Sequence, residues 1–243
     1  MRDFEHSTLW PVSEYERAAA GGTSVFTPLG RNTTLSTSLI GELRRIVTDR
    51  HTGRDVLEVV AACMRLREPV LLLLAHQQLV WPLTLFPDRD RVHSPSDFLA
   101  ATVQGLDGLK LLAVEPPGVR PPGDWRNDLE TERAHYRPLA PLLWRLALRG
   151  PRAQLLNEIG GSVTYRAVQR EGEALVAPGA LGPAVTRLRG GPATLTEMAH
   201  WPGLSTERAS RLLNALYLNG RLMVLRSTSA ARPGWPGWLA RRR

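Results

Sequence analysis

Thr194-Leu-Thr-Glu-Met-Ala-His-Trp-Pro-Gly-Leu-Ser-Thr-Glu-Arg-Ala-Ser-Arg-Leu-Leu-Asn-Ala-Leu-Tyr-Leu-Asn-Gly-Arg-Leu-Met-Val-Leu-Arg226 decides the reading of this chain. Thr194 with Glu197 three residues on is a capping box, so a helix starts here. Pro202-Gly203 breaks it. Ser205 caps a second helix, with Leu204 and Ala209 at the staple positions. Ala209, Leu212, Leu213 and Leu216 recur at helical spacing and predict a buried stripe. Gly220 ends this helix, and Arg221 to Arg226 alternates as a strand. A helix, a short turn and a second helix make a helix-turn-helix arrangement. Pro183–Leu188 predicts a helix ahead of it, followed by the turn Gly190-Gly-Pro192.

Thr206, Arg208, Ser210, Arg211 and Asn214 fall off the apolar stripe and are expected on the outer face of the second helix. Arginine pairs bidentately with guanine and asparagine with adenine, so such a face suits a DNA major groove. Charge points the same way. Residues 1–115 hold 12 basic and 14 acidic side chains, whereas residues 116–243 hold 19 and 9. A basic half joined to a near-neutral half is the footprint of a polyanion-binding unit. Of the 31 basic residues only Lys110 is lysine, a preference that does not explain why acids thin out in the second half.

Upstream, residues 1–30 read as a leader or arm anchored by Trp10 and Phe26. Residues 35–49 and 54–66 carry helical apolar patterns. Val70–Ala75 and Leu79–Phe86 read as strands joined by a turn at Gln77-Gln78, with Pro82 marking an edge strand or bulge. Ser94-Pro95 opens a short helix to Val103, and Leu109–Val114 is a third strand. The order predicts a small α/β module over 31–115. Pro116-Pro-Gly-Val-Arg-Pro-Pro-Gly123 reads as a stiff linker. Residues 124–182 read as a helical segment, with helices at 139–149 and 152–159 and a short strand at Val163–Val168. Residues 231–243 form a basic tail with Trp235, Trp238 and Arg241 to Arg243. The fold class is therefore α+β: an N-terminal α/β module with a short sheet, then a mainly helical half.

Residues 183–230 resemble the winged helix-turn-helix superfamily of bacterial regulators, and also the degenerate winged units that end bacterial signalling adaptors. The first resemblance implies duplex-DNA binding, with base contacts from Arg208, Arg211 and Asn214 and phosphate contacts from Ser205, Thr206, Arg221 and Arg226. The second implies a non-enzymatic adaptor whose winged unit binds protein. Arg226-Ser-Thr-Ser-Ala-Ala-Arg-Pro233 has no evident second wing strand, a departure from the regulators. The module at 31–115 is expected to sense a ligand or bind a partner. What separates the two readings is whether the surface around Arg208 and Arg211 is open or covered by another segment of the chain.

Other chemistry is poorly supported. Asp88-Arg-Asp-Arg-Val-His93 offers two carboxylates and an imidazole, but its arginines neutralise the acids, so a charged loop is expected rather than a metal site. No HExxH, zinc spacing, phosphate loop or nucleophile elbow occurs, so no enzyme, cofactor or metal is expected. Cys63 in an apolar helix reads as a buried inert thiol. The charged start Met1 to His6 precedes no apolar run, and Val70–Ala75 is too short to span a bilayer, so a cytoplasmic protein with no membrane contact is expected.

Overall fold

The computed structural model describes residues 9–20, 34–48, 55–123, 134–169 and 179–226. Phe26 and the tail at 231–243 lie outside the described residues. Helix α3 (Val56–Leu66) organises the first part. Asp55 caps it by accepting bonds from the backbone N–H of Leu57 and Glu58, and Arg67 ends it in the left-handed region. The strands that follow are β2 (Val70–His76), β3 (Leu79–Phe86), β4 (Arg91–His93) and β5 (Lys110–Glu115). The short helix α4 (Phe98–Ala101), capped by Asp97, comes between β4 and β5. Strand β1 (Trp10–Pro11), helix α1 (Val12–Ala19) and helix α2 (Thr37–Thr48) precede them.

All these strands pair antiparallel, in the order β5-β2-β3-β4, with β1 beside the start of β3. β2 reads as an unbroken apolar run because both its faces are covered. Val70, Leu72 and Leu74 join the main core, while Leu71 and Leu73 pack with Trp10, Tyr15 and Val80. β3 is an interior strand, which corrects the edge position expected from Pro82. On the side away from β2, β1 pairs with residues 79–80 and β4 with 84–86, so Pro82 falls in the gap between them. A residue without an N–H is tolerated where no neighbour asks for one. The irregularity lies next door, in the β2–β5 register between Leu73 and Leu74.

The stretch at 116–123 does not separate two cores. Pro117 and Gly118 are buried, and the Tyr136 hydroxyl donates to the Arg120 carbonyl at 2.6 Å. The chain then returns to the first sheet as β6 (Tyr136–Pro138), paired to β4. Helix α5 (Leu139–Arg149) follows directly, with Leu139, Leu142, Leu143 and Leu146 buried. Gly150 ends it where a Cβ would stand 2.2 Å from the Leu146 carbonyl oxygen, so only glycine fits.

Residues 152–159 form no helix, against expectation; only a 3-10 turn at Asn157–Ile159 is present. Side chains take over the backbone bonding there. Arg152 donates to the carbonyls of Gln154 and Leu155, and Asn214 bonds Gln154 and Leu156. The chain continues through β7 (Val163–Ala167), α6 (Leu181–Gly190), α7 (Leu195–Ala199), α8 (Thr206–Leu218) and β8 (Leu222–Arg226). The expected capping box at Thr194 and Glu197 and the Ser205 cap are both formed. β7 pairs on one side with β8 and on the other bridges Ala193. The partner of β8 is thus supplied from upstream. One core cluster runs from α3 and the first sheet through α5 to α8. No helix among the described residues is long and apolar enough to cross a membrane.

A continuous core should unfold as one unit. We expect tryptophan fluorescence and far-ultraviolet circular dichroism to report one coincident urea transition. A protease cut within 116–123 should release no independently folded half, and two separated transitions would show that the halves pack independently.

Candidate functional site

The outer face of α8 is the site the sequence singles out, and the fold covers most of it. Ala209, Leu212, Leu213 and Leu216 are buried as their spacing requires, but so are Ser210 and Asn214. Asn214 is 0% exposed. Its Oδ1 accepts the backbone N–H of Leu156 at 2.9 Å, and its Nδ2 donates to the Gln154 carbonyl at 2.9 Å. Both ends of the amide are consumed, so Asn214 has no surface for an adenine edge.

Arg211 lies next to it, its side chain 16% exposed. Its Nη1 donates to the Gly150 carbonyl at 2.7 Å, where α5 has run out of internal donors. Its Nε pairs with Glu207 at 2.9 Å. Arg211 therefore acts as the C-terminal cap of α5.

The other expected contacts are dispersed. Ser205 is exposed, but its hydroxyl accepts the Arg208 N–H at 3.2 Å. Thr206 is exposed at the first turn. Arg208 is exposed and donates to the Gly203 carbonyl at 2.7 Å. Arg221 is 4% exposed. Arg226 is exposed at the end of β8, where its Nη2 donates to the Glu158 carbonyl at 2.8 Å. Of the five residues expected on the outer face of the second helix, Ser210 and Asn214 are buried and Arg211 is half-buried, which corrects their placement on an open surface. α5 and the 150–156 segment occupy the centre of that face, and only Ser205, Thr206 and Arg208 form an exposed group on α8 itself. Sequence reasoning took polar type as a sign of exposure. The available signal was the Gly150-Pro151 break before a segment whose backbone needed polar partners.

The covering segment is held by a largely buried ionic cluster. Arg152 pairs with Asp55 at 2.6 Å and Glu58 at 2.8 Å. Glu58 also accepts the Asn157 N–H at 2.9 Å. Beside it, Arg65 bridges Glu42 at 3.0 Å and Glu158 at 3.2 Å. Burial raises the carboxyls of Glu58 and Glu158 above their ordinary range, more than Arg152 and Arg65 lower them. Burial, with the Glu158 charge second, pushes the Tyr217 hydroxyl up to about 12. Cys63 is fully buried, and burial pushes its thiol up to about 12, so it stays protonated at neutral pH.

A cleft of about 610 Å³ opens where the C-terminal ends of α3 and α8 meet the start of α5. Met64, Leu139 and Leu218 line its floor, with Arg67, Asp88 and Arg91 at its rim. His93 is buried beside Tyr136, and no group of three or more metal-ligating side chains occurs among the described residues. Compared with protein-family profiles, curated proteins and solved structures, the chain matches none.

Asn214→Ala should leave the buried Leu156 N–H without a partner, while the Gln154 carbonyl keeps the bond from Arg152 Nε. We expect a loss of about 1–3 kcal/mol in urea unfolding, the cost of one unsatisfied buried group. Leu212→Ala should cost about 2–5 kcal/mol through its cavity. An Asn214→Ala variant of unchanged stability would show that the amide is not needed to hold the segment.

The acids supply a pH signature. A carboxyl raised on folding binds its proton more tightly in the folded chain, so its contribution to stability is full below the unfolded value and is lost as pH rises through the folded one. Glu158→Gln carries no such titration. The stability of the wild type relative to this variant should therefore be more favourable at about pH 4.5, the ordinary carboxylate range, than at about pH 7. Urea midpoints of the two proteins at both pH values test this.

Proposed function

We propose that this chain is a non-enzymatic adaptor of bacterial type, in which the winged unit serves protein–protein interaction and is fused through its second helix to the rest of the chain. The observation that supports this reading is the burial of Asn214, and the engagement of the half-buried Arg211, against the segment that joins α5 to β7. A recognition helix must offer several side chains to the groove at once. Here the central positions of α8 are spent on binding the chain's own backbone. Exposing them would break a buried network, at a cost no phosphate contact recovers. The basic excess of the C-terminal half then serves attraction of an acidic protein partner. The α/β module is the rigid body to which this unit is welded, and a cytoplasmic setting suits the pair.

Mobility-shift assays of the full chain against genomic duplex fragments test this reading. We expect only weak, sequence-independent retardation that disappears steeply with salt, as for any basic protein. Arg211→Ala should lower thermal stability without changing that retardation. Sequence-selective binding that Arg211→Ala or Asn214→Ala weakens by about 1–3 kcal/mol while the fold stays intact would restore the DNA-binding reading.

A further inference from the structure

The two-stranded ribbon has one closed and one open side. Tyr165 exchanges both backbone bonds with Ala193, at 2.8 Å and 3.0 Å. Its N–H and carbonyl therefore point away from β8, which makes the Tyr165–Val224 pair the non-bonded kind. The bonded pairs of β7 and β8 are then Thr164 with Leu225 and Arg166 with Met223. The bond from the Val168 N–H to the Arg221 carbonyl at 3.0 Å has the same parity. It follows that Leu222 and Val224 aim their N–H and carbonyl groups outward, on the side of β8 where no described strand pairs.

The side chains on that strand are unusual as well. Met223 and Leu225 are 46% and 38% exposed, and as alternate residues they share one face. Soluble proteins generally blunt an open edge with charge, proline or a covering segment. Here outward backbone groups lie beside two exposed apolar side chains.

We propose that the outer edge of β8 is a strand-addition site for an extended segment of a partner protein, apolar at alternate positions and acidic between them. Charge complementarity selects this occupant. In residues 163–169 and 179–226 seven arginines stand against only Glu197 and Glu207. Glu197 is engaged by Thr194 and Glu207 by Arg211. Arg226, two residues beyond Val224 and alternate to Met223 and Leu225, puts an exposed cation on the opposite face, where the acidic positions of such a segment fall. A second copy would bring like charge to like charge, and residues 227–243 carry four arginines and no acid. Backbone bonds to Leu222 and Val224 would give affinity, and Met223 and Leu225 would select the apolar positions. The proposal rests on the adaptor reading and names the surface through which it acts.

The test uses the full chain and a synthetic peptide of alternating valine and glutamate, titrated by fluorescence anisotropy. In the free protein the amides of Leu222 and Val224 should exchange faster than those of Met223 and Leu225, and the peptide should protect them. Binding should weaken as salt is raised. Val224→Pro removes an outward N–H without breaking the β7–β8 ladder and should weaken binding at least tenfold. Met223→Glu with Leu225→Glu, both on the exposed face, should do the same in a chain of unchanged circular dichroism. No binding to the wild type, or binding unaffected by both variants, overturns the proposal. So does self-association abolished by the double variant, which makes a second copy the occupant, or binding only after deletion of 227–243, which makes the tail the occupant. Those failures leave the adaptor reading standing. Sequence-selective DNA binding would remove it whatever the peptide does.

Discussion

The need to satisfy the backbone of residues 150–156 shapes the centre of this protein. The segment connects a buried helix to a buried strand, and it is neither helix nor ladder. Buried backbone groups must nonetheless find partners. One side chain of the segment itself and two from α8 meet that need. Arg152 turns back on its own neighbours, Asn214 reaches from the middle of α8, and Arg211 takes the carbonyl at the end of α5. The arrangement is demanding because each of these groups would be costly to bury alone. Together they satisfy one another, so α8 can pack closely against α5.

The ionic cluster extends the same logic toward α3. Arg152 is bound to Asp55, which also caps α3, and to Glu58 in its first turn. One arginine thus links the cap of a helix in the first part of the chain to the irregular segment that α8 clasps. Ion pairs this deep contribute little net stability over apolar packing, but removing one partner strands a charge. Their effect here is to specify register: 150–156 fits α3 and α8 in one way. The raised carboxyls of Glu58 and Glu158 are the electrostatic cost of that specification.

For function, the consequence is a transfer of roles. The C-terminal unit keeps the outline of a helix-turn-helix with a strand behind it, and the middle of its second helix packs against the rest of the chain while its first turn stays exposed. What the unit still offers to other molecules lies elsewhere, at the exposed start of α8 and along β8.

The sequence by itself determined the local elements of this protein. The capping box at Thr194, the Ser205 cap, the Pro202-Gly203 break, the stripe of Ala209, Leu212, Leu213 and Leu216, and the paired strands around Gln77-Gln78 were all legible, because each depends on neighbours a few residues away. Tertiary structure alone decided what those elements meet. Pro82 signalled an edge, but β1 and β4 leave a gap that accommodates it inside the sheet. The prolines and glycines of 116–123 signalled a linker, but Tyr136 bonds back to Arg120 and the strand it begins pairs with the same sheet. Asn214 and Arg211 signalled an outer surface, since polarity is ordinarily the mark of solvent. A polar side chain is equally suited to an irregular backbone about sixty residues away, and its own neighbours in sequence do not show which partner it will find.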